Sequence, residues 1–310
     1  MSKKLKLRLG TRGSDLARTQ SGTVAASLEK AGFDVELVII KTAGDQNQTA
    51  LFGSIGAQGV FVREIEQALV EKRIELAVHS FKDLPTQSPD ELVVAAVPAR
   101  VDPADLLLVR RSLLAGDKDE FIPLAKGAKV GTASARRRVW LKHFRSDLNI
   151  EPLRGNVPTR VRKLAEGEYD AIVLAAAGVE RLTAEERLGD LGDIEVVRLD
   201  PAKFVPAPAQ GALALQCRRD DRRVLAALAT VDHAPSHLAV NAERDALARA
   251  EGGCNVAFGA YCRRCSGGAH ELLVMHDRNG IVRSARVRGR DSKKLGDIAW
   301  ATLETGGDES

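Results

Sequence analysis

Leu5, Leu7 and Leu9 alternate with Lys4, Lys6 and Arg8, the period-two pattern of a strand with one buried face. Gly10–Ser14 follows, and Asp15 to Ala31 then has helical spacing, with Ser14 as expected N-cap and Gly32 as terminator. Val35–Ile40 reads as a second strand, Phe61–Lys72 as an amphipathic helix and Ile74–Val78 as a third strand. The Gly/Gln/Asn-rich stretch Thr42–Gly59 between them reads as a long loop. The alternation restarts after Ala99–Pro103. Strands are expected at Leu106–Val109, Val130–Gly131, Ile150–Leu153 and Ala171–Ala175, with helices from Ala135 and over Thr159–Glu166. Ala171–Ala175 is apolar throughout, as for a strand covered on both faces.

Pro201–Gly211 carries Pro201, Pro206 and Pro208 and reads as an extended connector to a strand at Ala212–Gln216. The pattern changes near His233. A helix (Leu238–Ala250), three strand-like runs (Val256–Tyr261, Leu272–His276, Val282–Val287) and a last helix (Ser292–Leu303) predict a small α+β domain. The fold class is therefore α/β: two α/β domains followed by a small C-terminal α+β domain. No internal repeat of fixed period is present.

Composition narrows the function only a little. The chain has 310 residues, enough for two or three domains. Its 46 Lys+Arg against 42 Asp+Glu leave a net charge of +4, too small for a general nucleic-acid binder. Aromatic content of 4% argues against base stacking as the main work of the surface. The N-terminal stretch lacks a signal-peptide apolar core, and no run approaches a membrane span. Four cysteines (217, 254, 262 and 265) are too few for a disulfide scaffold. A soluble, cytoplasmic monomer without nucleic-acid or membrane partners is the expectation.

Candidate chemistry collects at strand ends, where open α/β sheets bind ligands. Arg12 and Ser14 stand where a strand hands over to a helix, a position suited to anions. His79–Pro85 follows an apolar strand and places Asp83 beside Lys82, where a carboxylate can move a proton or stabilise a cation. A simple surface ion pair is the plainer reading, and His79 reads as a packed, hydrogen-bonded histidine. Thr132, Ser134, Arg136, Arg137 and Arg138 crowd a helix start, where positive side chains oppose the dipole unless anions are present. Arg154, Gly155 and Arg160 repeat this logic, and Arg181 follows another strand. Such arginines point to a polyanionic ligand. A Walker-type phosphate loop is absent from the sequence.

Glu251-Gly252-Gly253-Cys254 presents a thiol just past a predicted helix end. A buried inert cysteine and a reactive one are both compatible with it. Cys254, Cys262, Cys265 and His270 also admit a zinc reading, but the spacing is irregular and a single CxxC is present, so no metal is assigned.

Seven separated motifs run in order: Thr-Arg-Gly-Ser (11–14), Gly-Val-Phe-Val-Arg-Glu (59–64), Ala-Val-His-Ser-Phe-Lys-Asp-Leu-Pro (77–85), Gly-Thr-Ala-Ser-Ala-Arg-Arg (131–137), Leu-Arg-Gly-Asn-Val (153–157), Ala-Gln-Gly-Ala (209–212) and Glu-Gly-Gly-Cys (251–254). Across essentially the whole chain this resembles the hydroxymethylbilane synthase (porphobilinogen deaminase) family. The resemblance implies a transferase of tetrapyrrole (haem) biosynthesis that joins four porphobilinogen molecules head to tail, with loss of ammonia, into 1-hydroxymethylbilane. It implies a dipyrromethane cofactor attached to Cys254 and Asp83 as catalytic carboxylate. Lys82, Ser14, Thr132, Ser134, Arg136, Arg137, Arg154 and Gly155 would bind the cofactor, and Arg12, Arg160, Arg181 and Gln210 the substrate. It further implies two type-II periplasmic-binding-protein-like domains around a cleft, at 1–99 with 206–229 and at 103–199, and a third domain at 232–310. Thr42–Gly59 would be the family's flexible segment. Pro158 stands where a glycine is frequent, Ala257 where a proline is usual, Gln58 where a lysine and Ala43 where an arginine are frequent. A solute-binding protein is the rival reading, but it requires neither the third domain nor Cys254.

Overall fold

The computed structural model describes residues 5–40, 57–115, 121–184, 191–250 and 257–305. The chain begins with β1 (Lys6–Thr11), α1 (Asp15–Lys30), β2 (Asp34–Ile39), α2 (Ala57–Val70), β3 (Leu76–Ser80) and β4 (Leu92–Ala96). It continues with β5 (Asp105–Arg110), β6 (Lys129–Gly131), α3 (Ala135–Phe144), β7 (Asn149–Glu151), α4 (Val157–Ala165), β8 (Ala171–Ala175), α5 (Ala176–Ala184) and β9 (Ile194–Arg198). β10 (Leu213–Arg218), α6 (Arg222–Ala229), α7 (Ala234–Ala250), β11 (Phe258–Arg264), β12 (His270–Arg278), β13 (Ile281–Gly289) and α8 (Ser292–Glu304) complete it.

These elements form two compact units, Met1–Arg100 with Ala212–His237 and Val101–Gly211 with Leu238–Ser310. The first contains a five-stranded sheet of order β2-β1-β3-β10-β4, and the second one of order β7-β6-β8-β5-β9. The two orders are the same. In each, three parallel strands are followed by one antiparallel strand, β10 or β5, flanked by a short edge strand. This is the type-II α/β arrangement expected for both halves. The expected C-terminal sheet is present as β11-β12-β13. It falls within the second unit, and its Met275 belongs to the same apolar core as Trp140 and Phe204.

Alternation explains the packing of β5. Leu107 and Val109 enter the core with Trp140 and Phe204, while Leu106 and Leu108 enter the opposite core with Leu153, Val161 and Leu174. In β1, Leu7 and Leu9 pack with Val24 and Leu28 of α1. The C-terminal sheet closes a further core against α7 and α8, built from Ala260, Leu272, Val274 and Leu295.

Several expectations change. Ala57–Gly59, read as loop, begin α2, and the remainder of that loop lies outside the described residues. Pro201–Gly211 is a chain of turns rather than an extended connector, with Lys203 and Phe204 N–H bonded to the Asp200 carbonyl. β4, β9, α5 and α6 were not anticipated. Pro158 falls in the first turn of α4, where a missing N–H costs nothing. Ala257 is buried in the Trp140 core. Gln58 lies in α2, and Ala43 outside the described residues.

The centre of the first unit is polar and closed. Buried His79 of β3 lies 3.0 Å from Gln216 Oε1 of β10, and the Gln216 amide donates to Glu66 Oε1 at 2.9 Å and to Ser88 Oγ at 3.2 Å. Because the Gln216 nitrogen is committed to Glu66, its oxygen must accept, so His79 donates Nε2–H. Burial pushes the His79 pKa down to about 4, against the opposing hydrogen bond to Gln216. His79 is thus the packed, hydrogen-bonded histidine expected, and burial keeps it neutral.

Between pH 6.5 and 4 the unfolded chain protonates His79 and the native one does not, so stability must fall as pH falls. The loss is about 3 kcal/mol across that window, read as a shallower pH dependence of the urea midpoint in His79→Gln than in wild type. Gly211 has φ +86° and an added Cβ would lie 2.8 Å from the Val101 carbonyl oxygen and 2.9 Å from that of Asp102. Gly211→Ala should therefore cost about 1–3 kcal/mol in chemical denaturation.

Candidate functional site

In the first unit the predicted residues emerge from neighbouring strand ends. β1 and β3 are adjacent and parallel, with Gly10 opposite Ala77. Arg12, half-buried, follows β1 and precedes α1. Ser14 occupies the N-cap position with extended backbone, but its hydroxyl makes no capping bond; its carbonyl accepts from Arg18 N–H at 3.0 Å. The cap expected from the sequence is positional only.

Asp83 closes a 3-10 turn, Phe81–Asp83, directly after β3. The turn is anchored on both sides. Phe81 is buried and donates its N–H to the Ala212 carbonyl at 3.0 Å; Leu84, also buried, donates to the Phe81 carbonyl at 3.3 Å. Between these anchors Lys82 is half-buried and Asp83 is exposed. Two buried apolar anchors thus present an exposed carboxylate at a strand end, which suits proton transfer or cation stabilisation on a docked substrate.

In the second unit Ser134 caps α3, its hydroxyl accepting Arg137 N–H at 3.4 Å, and Ser134 N–H bonds Thr132 Oγ1 at 3.2 Å. Thr132 is fully buried. Arg136 and Arg137 are each only 6% exposed, and both point at Asp105, which is 0% exposed. Arg136 donates Nη2–H to Asp105 Oδ2 at 2.8 Å and Nη1–H to the Val205 carbonyl at 2.8 Å. Arg137 donates Nη2–H and Nε–H to Asp105 Oδ1 at 2.7 and 3.1 Å, and Nη1–H to the Val173 carbonyl at 2.9 Å. Gln210, 1% exposed, adds its amide to the same Oδ1 at 2.9 Å and to the Pro103 carbonyl at 2.8 Å.

Asp105, absent from the expected residues, is the protein's own anion against the positive charge at the α3 N-terminus. Gln210, expected against substrate, turns its amide nitrogen to that carboxylate. Burial opposes ionisation of Asp105, but Arg136 and Arg137 outweigh it and hold the carboxyl well below its usual range. One carboxylate against two guanidiniums leaves an excess positive charge.

Arg160 adds to that excess. It lies on α4, capped by Asn156 Oδ1 accepting Thr159 N–H at 2.9 Å, and its Nε–H bonds the Gly155 carbonyl at 2.7 Å. Its pKa is lowered by burial and then by the positive charge of Arg137. Two capped helix N-termini, two guanidiniums on a single carboxylate and a third that feels the charge of Arg137 make an electrostatic environment that favours further carboxylates. Arg154 is exposed beside Gly155, and Arg181 is half-buried on α5, its pKa lowered by burial.

A donor set of this kind fits a cofactor that carries several carboxylates. Cys254, expected to hold it, lies outside the described residues, as does the glycine pair before it; α7 ends at Ala250. Cys262 is buried and Cys265 half-buried. Among the described residues no group of three or more His, Cys, Asp or Glu side chains is arranged to hold a metal ion. Among them, too, no helix is long and apolar enough to cross a membrane.

Comparison with known proteins agrees with the motif order. The family profile described as "Porphobilinogen deaminase, dipyromethane cofactor binding domain" matches residues 7–226. The chain is 46% identical to the porphobilinogen deaminase of Brevibacillus brevis over 94% of this chain and 87% of that protein. It is 39% identical to the one of Syntrophobacter fumaroxidans over 97% and 95% of the two chains, and 40% identical to the one of Sorangium cellulosum over 97% and 99%. Identity at this level over nearly full length, on a fold whose strand ends present an anchored carboxylate and an arginine cluster, means that the chain belongs to the porphobilinogen deaminase family.

Proposed function

We propose that the chain condenses four porphobilinogen molecules head to tail into 1-hydroxymethylbilane, with Asp83 as the catalytic carboxylate. The observation that carries this reading is the clamped turn after β3, which fixes Asp83 outside a rigid strand end while leaving its carboxylate accessible. Asp83 accepts hydrogen bonds from pyrrole N–H groups, assists protonation of the departing amine and stabilises the cation left as that nitrogen leaves. Lys82, beside it, binds a cofactor carboxylate.

Arg136, Arg137 and Arg160 hold carboxylates of the bound chain, with Thr132, Ser134, Arg154 and Gly155 shaping that surface. Arg12, Ser14 and Arg181 serve carboxylates as well. Gln210 acts at one remove, through Asp105. Every added ring brings two more carboxylates, so excess guanidinium charge is a chemical requirement of chain growth. Cys254 carries the dipyrromethane cofactor as a thioether, and the cofactor supplies the free α-carbon from which the chain starts. The enzyme works as a cytoplasmic monomer, without metal, nucleic acid or membrane. The three-domain division is the working frame, with the C-terminal sheet and α8 as the part that follows the cofactor thiol.

Asp83→Asn should leave the protein folded and cofactor-loaded but lower kcat by about a hundredfold or more; kcat within a few-fold of wild type would remove Asp83 from the mechanism. Cys254→Ala should lack the dipyrromethane mass in intact-protein mass spectrometry, give no colour with acid Ehrlich reagent and make no bilane. A coloured, active Cys254→Ala protein would place the attachment elsewhere.

A further inference from the structure

Glu243 plays no part in the reading above, yet it is a fully buried carboxylate on α7. Its two oxygens go to two distant backbone groups: Oε2 accepts Ala209 N–H at 2.7 Å and Oε1 accepts Cys262 N–H at 2.7 Å. A carboxylate can serve both donors, whereas an amide offers one oxygen only.

The Ala209 contact is the informative one. Ala209 has φ +59°, the left-handed region that a residue with a Cβ disfavours. Such a conformation persists only where the surroundings over-determine it. Here Glu243 captures the Ala209 N–H, and Gly211, two residues on, sits against the Val101 and Asp102 carbonyls. The residue gripped between them is Gln210, whose amide fixes Asp105, and Asp105 fixes the guanidinium planes of Arg136 and Arg137. A continuous buried polar chain therefore runs from α7 to the start of α3, entirely within the second unit. α7 is also the helix that ends at Ala250, four positions before Cys254.

The geometry points to Glu243 as a positioning residue for the Arg136–Arg137 pair, acting through the Ala209–Gln210 turn and Asp105. This rests on the reading that the arginine pair receives ligand carboxylates. Its function would be to keep the guanidinium pair in one orientation as successive anionic rings arrive.

The test uses the full-length protein and four variants: Glu243→Gln, Gln210→Met, Arg137→Lys and the Glu243→Gln/Arg137→Lys double. Urea unfolding gives stability, intact mass gives the fraction carrying dipyrromethane, and steady-state assays of the loaded, folded fraction give kcat and KM for porphobilinogen. Glu243→Gln should raise KM about three- to tenfold, or lower the loaded fraction to the same extent, with kcat changed less. The double variant should be little worse than Arg137→Lys alone, because both changes act on one group. Gln210→Met cuts the chain one link later and should shift KM in the same direction, which keeps the test open if Glu243→Gln fails to fold. Lower stability with unchanged KM and loading in Glu243→Gln or Gln210→Met would overturn the inference, as would multiplicative effects in the double variant. If Arg137→Lys itself leaves KM and loading at wild-type values, the carboxylate-binding reading falls, and this inference with it.

Discussion

A single carboxylate, that of Asp105, organises the second unit's chemistry. Burying a charge is expensive, and burying two guanidiniums is more so, unless each has partners of opposite sign and good geometry. Asp105 meets this requirement for Arg136 and Arg137 at once, and each guanidinium also donates to one buried carbonyl, that of Val205 or Val173. Removing it would strand two cations in an apolar core beside Trp140 and Phe204. The arrangement is not neutral: one acid stands against two bases, and Arg160 lies close enough for the charge of Arg137 to lower its pKa further.

The first unit solves a different problem by different means. It leaves the Asp83 carboxylate exposed and buries the residues that flank it. Phe81 and Leu84 are driven inward by their apolar side chains, and His79 is locked to Gln216 and through it to Glu66. Precision at Asp83 comes from the neighbours' burial rather than from bonds to Asp83 itself.

Much of this was legible in the chain. The strands of both sheets that carry an unmistakable apolar period lie within a few residues of their expected bounds, the arginines crowd the start of α3, and His79 is packed and hydrogen-bonded as expected. What was missed has physical reasons. β4 and β9 are short edge strands whose partners, not their own sequences, make them strands. The helix of Ala57–Gly59 sits in a stretch whose glycines argue against helix. Asp105 was invisible because Asp102-Pro103-Ala104-Asp105 reads as a turn, and its two arginines lie more than thirty positions further on. The bond between the Gln210 amide and Asp105, 105 positions apart, was beyond the sequence for the same reason. Sequence pattern locates charge well and pairing poorly, because pairing is long-range.

The shared strand order of the two sheets bears on how the chain reaches its native state. In each sheet the antiparallel strand is supplied by the segment that has just arrived from the other unit, β5 after Arg100 and β10 after Gly211. During synthesis the leading half thus waits, with its central gap unfilled, until more than a hundred further residues have left the ribosome. Its nascent form exposes the flanks of β3 and β4 to any chaperone or stray strand for all of that interval. The trailing sheet has every strand in hand once Arg198 has emerged, which makes it the natural first nucleus of assembly despite coming second in the gene.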